Sequence, residues 1–155
     1  MRAFKIILAS LVVWSLASAQ EVNPEGFPIV EEPITLSLMG SRAAIQGEWA
    51  DLVLFQRMEE LTNINLELMA IPDEGYNERK NLTFASGQLP DLFFGGRLTP
   101  SDEVTYGAQG FLVPLEDLIA EYAPNLQQIL EENPDIRRSI TAPDGHIYAL
   151  PKVTA

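Results

Sequence analysis

Residues 34–94 begin with ITLSLM (34–39), pass through INLELMAI (64–71) and end with DLFF (91–94). The first two segments have the length and apolar pattern of β-strands, and the third is a short apolar run followed by two glycines. The stretches between them are too long for hairpin turns. Residues 34–94 therefore predict an α/β unit of the order β-α-β-α-β, with a mainly parallel sheet and helices on its faces.

Two helices are predicted between these strands. The first spans residues 48–61, and its end is marked by Thr62. Its apolar stripe, spaced as on one helix face, consists of Leu52, Leu54, Phe55, Met58 and Leu61. The second helix spans about residues 76–85 and ends at a Ser-Gly pair.

The second half of the chain is predicted to be mainly helical. Pro100 near the start of a polar segment indicates a helix that ends between Gly107 and Gly110. Further helices are predicted over residues 116–122, 124–132 and 134–140. Short strands are predicted at residues 111–113 and 146–150, the latter after a tight turn at 142–145.

The N-terminal residues carry the pattern of a secretory signal peptide. Arg2 and Lys5 precede an apolar run over residues 6–16, and Ala17-Ser18-Ala19 supplies the small residues of a cleavage site. The apolar run is too short to span about 30 Å of hydrocarbon. Residues 1–19 are therefore predicted to be a cleaved signal, and residues 20–33, with three prolines, an extended arm that is not packed. Folding is predicted to begin at Ile34.

Charge and composition exclude several functional classes. The chain has 22 Asp and Glu residues against 10 Lys and Arg, for a formal net charge of −12. This balance disfavours nucleic acid and anionic membrane surfaces as partners, because both are bound through basic residues. The absence of cysteine excludes disulfides, thiol nucleophiles and a thioether-linked lipid anchor. A single histidine is poor material for a zinc site or a histidine relay, so no metal site is predicted.

Four segments in order resemble one protein family. They are NLTFASGQLPDLFF (81–94), YGAQG with LVPL (106–110 and 112–115), YAPN (122–125) and APDGHIYALP (142–151). This order is similar to that of extracellular solute-binding proteins of family 1, the sugar-binding components of ABC importers. The similarity extends over most of residues 34–153.

The resemblance implies a periplasmic-binding-protein-like fold of type II, in which two lobes close on a ligand. Residues 34–155 would then form part of the first lobe, in a chain that is truncated relative to the family. The hinge to the second lobe would begin at Leu150, Pro151, Lys152 and Val153. The implied partners are a carbohydrate and ABC permease subunits, and no cofactor is implied. The implied location is the periplasm or the medium, without a stable membrane anchor.

Candidate ligand-binding residues follow from the predicted topology. In open parallel sheets, ligands bind beyond the carboxyl ends of the strands. Trp49 could offer a sugar an aromatic face, or it could belong to the core. Arg42 and Arg97 could donate to ligand hydroxyl groups, or they could be ordinary solvated arginines. Gly95 and Gly96 could admit a ligand close to the backbone, or merely turn the chain.

Two polar residues are predicted to have structural roles. Asp91 precedes its strand and thus lies at the opposite rim, where it would cap a turn. His146 follows a tight turn and has no second histidine beside it, which favours a structural or surface role.

Three functional classes remain open from the sequence. The first is a lobe that binds a sugar or oligosaccharide for an ABC importer, which depends mainly on the resemblance. The second is a secreted glycoside hydrolase with paired carboxylates, although no carboxylate is placed in an evident apolar pocket. The third is a nonfunctional fragment of the same ancestry.

Overall fold

The computed structural model describes residues 22–23 and 25–152. The predicted signal peptide, and with it any cleavage after Ala19, lies outside this part of the chain. The strands are β1 (Ile34–Arg42), β2 (Ile64–Pro72) and β3 (Leu92–Phe94). The helices are α1 (Val53–Thr62), α2 (Asp73–Ser86), α3 (Pro100–Ala108), α4 (Glu116–Tyr122), α5 (Pro124–Glu132) and α6 (Pro134–Ile140), with a short 3-10 turn at Trp49–Asp51.

The three strands form one parallel sheet in the order β2-β1-β3. β1 pairs with β2 along its whole length, from Ile34 opposite Ile64 to Arg42 opposite Pro72. β3 pairs with the other side of β1, so that Leu38 lies opposite Leu92. The predicted α/β class and the parallel arrangement are both confirmed.

Successive residues of β1 face opposite sides of the sheet, and each side is covered by a different helix. Leu38 contributes to a core cluster with Trp49 and Phe55, on the side of α1. Met39 is 1% exposed and receives a weak hydrogen bond from Thr83 of α2, on the other side. The sheet is therefore covered on both faces, as parallel sheets require.

A second cluster of apolar side chains joins the C-terminal helices. Ile119, Leu130 and Ile147 are buried together, although Ile147 lies in a loop. An aromatic stack links α2 to α3, since the rings of Phe84 and Tyr106 are parallel with centroids 3.7 Å apart. Within the described residues, no helix is both long enough and apolar enough to cross a membrane.

The predicted helix over residues 48–61 is wrong in its start and in its buried face. The chain forms the 3-10 turn, becomes extended at Leu52 and enters α1 only at Val53. In a continuous helix Trp49 and Phe55 would point about 120° apart, whereas the break lets both face Leu38. The predicted stripe residues Leu54, Met58 and Leu61 are consequently exposed.

Three further predictions need correction. Residues 111–113 form no strand, and residues 146–150 contribute only a single antiparallel bridge between Thr141 and Ile147, because neither run has a partner strand among the described residues. The second helix begins earlier than predicted, at Asp73, where acidic residues in the first turn complement the helix dipole.

The arm before β1 is packed where the sequence predicted a free segment. Val30 is 1% exposed and forms a bridge with Val22. The backbone amide of Ile29 donates to the carbonyl of Thr62, and the side chain of Asn63 donates to the carbonyl of Val30. The end of α1 therefore holds the arm in place. The domain boundaries at residues 19 and 33 stay predictions.

Candidate functional site

The three strands end at the same edge of the sheet because they are parallel. β1 ends at Arg42, β2 at Pro72 and β3 at Phe94. We use the name carboxyl edge for a set of residues at and just beyond these ends. They are Ser41, Arg42, Asp73, Gly95, Gly96 and Arg97. In open α/β sheets this edge is where ligands bind.

Asp73 joins the ends of all three strands. Its Oδ1 atom accepts a hydrogen bond from the hydroxyl group of Ser41 in β1 and another, of 2.8 Å, from the guanidinium group of Arg97 after β3. Asp73 itself is the first residue of α2, directly after β2. The structure therefore brings one predicted site residue, Arg97, into a cluster whose centre is a carboxylate.

One face of α2 fixes the turn that carries Arg97. The hydroxyl group of Tyr76 donates to the carbonyl of Gly96 at 3.2 Å, and the Nζ atom of Lys80 donates to the carbonyl of Arg97 at 2.9 Å. Lys80 is only 5% exposed and also pairs with Asp102, at 3.6 Å, in the capping box that starts α3. Burial raises the pKa of Tyr76, and the charge of Arg97 partly opposes this effect.

The backbone of this turn has an unusual conformation. Gly95 has φ +60° and Arg97 has φ +51°, both in the left-handed region. Arg97 is not a glycine, so its conformation is strained and depends on the bonds from α2 for support. A Cβ on Gly95 would contact nothing within 4 Å, so its role as a glycine is conformational. Gly96 turns the chain close to the ring of Phe93.

Arg42 belongs to a separate interaction at the same edge. Its Nη1 atom pairs with Glu48 at 2.9 Å and donates to the carbonyl of Gln46 at 3.4 Å. Its Nε atom is buried and has no hydrogen-bond partner within the described part of the chain. Arg42 and Arg97 are thus both held by carboxylates, but not by the same one.

Trp49 is not available as an aromatic platform. Its side chain is 3% exposed, and its ring stacks on Phe55 with centroids 5.1 Å apart. The ring lies so close to β1 that a Cβ on Gly40 would come within 2.5 Å of it. The prediction of Trp49 as a ligand contact is therefore wrong in this structure, and the alternative of a core tryptophan is correct.

The other polar residues singled out from the sequence have structural partners. The Oδ2 atom of Asp91 accepts from the backbone amide and the hydroxyl group of Ser37, at the rim opposite the carboxyl edge. These bonds hold the pKa of Asp91 below its usual value. The Nδ1 atom of His146 lies 2.7 Å from a carboxylate oxygen of Glu116. Both residues have the structural roles predicted for them.

The predicted hinge is only partly described. Leu150 is 64% exposed and Lys152 is exposed, with Pro151 half-buried between them. Val153 lies outside the described residues. The hinge stays a prediction.

The sequence analysis missed the residues that organise the edge. Asp73, Tyr76 and Lys80 are spaced at i, i+3 and i+7 and so share one face of α2. That spacing is visible in the sequence, but a helix start predicted at residue 76 leaves Asp73 outside the helix. Among the residues that the structure describes, no group of three or more acidic or histidine side chains could hold a metal ion.

Comparisons with known proteins identify similar folds and sequences. No family model matches the chain. The fructooligosaccharide ABC transporter substrate-binding protein FusA of Streptococcus pneumoniae is 31% identical over 147 residues, which is 94% of this chain and 27% of FusA. The chain thus spans about a quarter of the length of this relative.

Comparison with solved structures also finds substrate-binding proteins that this chain matches over part of their length. FusA from S. pneumoniae in complex with kestose matches with a TM-score of 0.71 and 32% identity, over 78% of this chain and 25% of FusA. The alginate-binding protein AlgQ2, solved without calcium ion, matches with a TM-score of 0.67 and 32% identity, over 81% of this chain and 26% of AlgQ2. A solute-binding protein of Bifidobacterium longum infantis shares the fold at 23% identity and a TM-score of 0.66. The fold of this chain is thus found in part of each of these proteins.

Proposed function

We propose that this chain forms part of the first lobe of an extracytoplasmic substrate-binding protein that captures a sugar or oligosaccharide for an ABC importer. The observation that carries the proposal is the similarity to FusA over 94% of the chain, together with the match to the FusA structure that holds kestose. The same similarity supports the two-lobe architecture and a partnership with permease subunits. The assignment to solute-binding family 1 remains part of the proposal.

In this proposal the ligand contacts the carboxyl edge. Gly95, Gly96 and Arg97 form a turn whose backbone carbonyl groups accept hydrogen bonds from side chains of α2. Arg42 adds a second guanidinium group. A rigid polar surface suits carbohydrate binding because hydrogen bonds to hydroxyl groups need fixed partners. Closure of a second lobe about a hinge near Leu150 would exclude water and create the surface that a permease recognises.

The arrangement supports binding and not catalysis. A carboxylic acid that protonates a glycosidic oxygen needs an apolar site that raises its pKa. Within the described residues no carboxylate is buried, and Glu103, whose pKa is raised by partial desolvation and by the charges of Asp144 and Asp102, is not among the residues of the carboxyl edge. The proposal therefore includes no chemistry on the ligand and no cofactor.

Calorimetric titration of the complete protein, as its host produces it, tests the proposal. Kestose, maltotriose and shorter sugars are the probes. We expect at least one of them to bind with a dissociation constant of about 1 µM or less, with no change in the sugar after prolonged incubation. Absence of binding to every sugar, or hydrolysis of one, would contradict the proposal.

The proposed location outside the cytoplasm has its own test. Mass spectrometry of exported protein should give Gln20 as the first residue, because the small residues before it suit a signal peptidase. Exported protein that retains Met1 would contradict the predicted signal peptide.

A further inference from the structure

Each basic side chain at the carboxyl edge, and the buried lysine beneath it, is paired with a carboxylate. Arg97 pairs with Asp73 at 2.8 Å, Arg42 with Glu48 at 2.9 Å, and Lys80 with Asp102 at 3.6 Å. These pairs cancel the positive charge that an acidic ligand would need. We infer that this edge selects a neutral carbohydrate over an acidic one such as a uronate, an inference that rests on the proposed function.

The cluster around Asp73 has the hydrogen-bonding character that hydroxyl groups require. Its Oδ1 atom is occupied by Ser41 and Arg97, while its Oδ2 atom has no hydrogen-bond partner among the described residues. The side chain of Asp73 is 37% exposed and that of Arg97 is 50% exposed. A free carboxylate oxygen thus lies beside a guanidinium group with further donors. Hydroxyl groups both donate and accept, so they can bond to both neighbours at once.

A uronate carboxylate fits this arrangement less well than a hydroxyl group does. It only accepts hydrogen bonds, so it would bond to Arg97 and approach Asp73 as a second negative charge. Like charges in contact disfavour binding strongly, and they do so most where water is excluded. Glu48, which is 67% exposed, presents the same obstacle beside Arg42.

The backbone of the turn that carries Arg97 is fixed beside Asp73, and the Arg97 guanidinium group lies 5.9 Å from the centroid of the Tyr76 ring. Tyr76 and Lys80 hold the carbonyl groups of Gly96 and Arg97 from below, at 3.2 Å and 2.9 Å. Both of these side chains are buried, at 0% and 5% exposure. The turn that presents Arg97 to Asp73 is therefore preorganised before any ligand arrives. The net charge of −12 further disfavours the approach of an anion.

Calorimetry of the complete protein with neutral and acidic trisaccharides tests the inference. The probes are kestose and maltotriose against trimannuronate and trigalacturonate, at low and at high salt. We expect the better neutral trisaccharide to bind at least about tenfold more tightly than either acidic one. The difference should narrow at high salt, since screening weakens the repulsion.

Two variants locate the origin of the preference. Asp73→Asn removes the carboxylate beside Arg97, and Glu48→Gln removes the one beside Arg42. Each variant is expected to reduce the ratio of the acidic to the neutral dissociation constant by severalfold, because a guanidinium group becomes available to the carboxylate of the acidic sugar. The matched control is Asp135→Asn, which releases Arg138 on α6, away from the edge. It should leave the preference unchanged. Glu48 is highly exposed, so Glu48→Gln remains informative if Asp73→Asn does not fold.

The outcomes separate this inference from the proposed function. Acidic trisaccharides that bind as tightly as neutral ones would overturn the inference and leave the proposed function intact. The same holds if Asp135→Asn narrows the preference as much as the edge variants do. If no trisaccharide of either class binds, nor any shorter sugar, the proposed function falls and the inference falls with it.

Discussion

Gly40 is the residue at which β1, the 3-10 turn and β3 approach one another. A Cβ at this position would lie 2.3 Å from the carbonyl oxygen of Phe94 and 2.5 Å from a ring carbon of Trp49. The carbonyl belongs to the backbone and cannot rotate aside, so β3 must move as well as the tryptophan ring. Gly40→Ala is therefore expected to lower the free energy of unfolding by about 1–3 kcal/mol, measured by urea denaturation.

Gly75→Ala is the matched control for this substitution. Gly75 lies in α2, and a Cβ there would contact nothing within 4 Å. Alanine is the better helix former, so this variant should be neutral or more stable by up to about 1 kcal/mol. Equal losses of stability in the two variants would show that close packing at Gly40 is not the cause.

His146 offers a test based on pH. The hydrogen bond to Glu116, followed by the charges of Glu116 and Asp144, raises the pKa of the imidazole above its ordinary value, although partial desolvation opposes the shift. The bond should therefore contribute its full stabilisation below the unfolded-state pKa of about 6.5 and lose it as the pH rises through the raised value.

NMR titration of the imidazole measures this pKa, and assignment is direct because the sequence has one histidine. Glu116→Gln should bring the pKa down, towards the ordinary value, with Asp144 left as the remaining anion nearby. An imidazole pKa at or below 6.5 in the unaltered protein would contradict the interaction.

At the scale of one element, α1 shows why a hydrophobic pattern can predict a helix and still give the wrong buried face. The pattern from Leu52 to Leu61 is helical, and a helix forms. Burial is decided by the break at Leu52, which turns Phe55 towards the sheet and leaves Leu54 exposed at 55%. A break of this kind depends on tertiary packing of Trp49 against Gly40, which no local pattern contains.

Substitutions at neighbouring positions of α1 test this orientation. Phe55→Ala should lower the free energy of unfolding by about 3–5 kcal/mol, because a large buried ring is lost. Leu54→Ala should change it by no more than about 0.5 kcal/mol, since the side chain is largely in solvent. Chemical denaturation compares the two. A larger loss of unfolding free energy for Leu54→Ala than for Phe55→Ala would show that the stripe predicted from the sequence is the buried face.

The difference between local sequence pattern and tertiary packing also explains how far the candidate site could be predicted. The alternation of strands and helices places Arg42, Gly95, Gly96 and Arg97 at one edge, because parallel strands end together. The carboxylate that each arginine contacts was not predicted: Arg97 contacts Asp73, which a helix start at residue 76 leaves outside α2, and Arg42 contacts Glu48, which lies before the 3-10 turn and not in a helix. Lys80 carries a charge and is nevertheless buried, because Asp102 and a backbone carbonyl group match its ammonium group.

At the scale of the whole molecule, the proposed binding mode has the carboxyl edge contact a ligand from one side only. The chain spans about a quarter of the length of its relatives. A polypeptide of residues 20–155 is therefore expected to bind kestose with a dissociation constant of about 1 mM or weaker. Loss of about four hydrogen bonds of about 1 kcal/mol each corresponds to roughly three decades in affinity relative to the complete protein. Calorimetry measures both constants, and micromolar binding by the monomeric polypeptide would contradict the expectation.

The strand order β2-β1-β3 also has a consequence for folding kinetics. Partners in β1 and β2 are about 30 residues apart, whereas Ser37 and Asp91, which join β1 to the start of β3, are 54 residues apart. Closing the longer loop costs only about 0.5 kcal/mol more in chain entropy, but it gains three residues of pairing instead of nine. β1 and β2 should thus pair early and β3 late. Until β3 arrives, one side of β1 remains an unpaired strand edge that a second molecule can occupy, so refolding yield should fall as protein concentration rises.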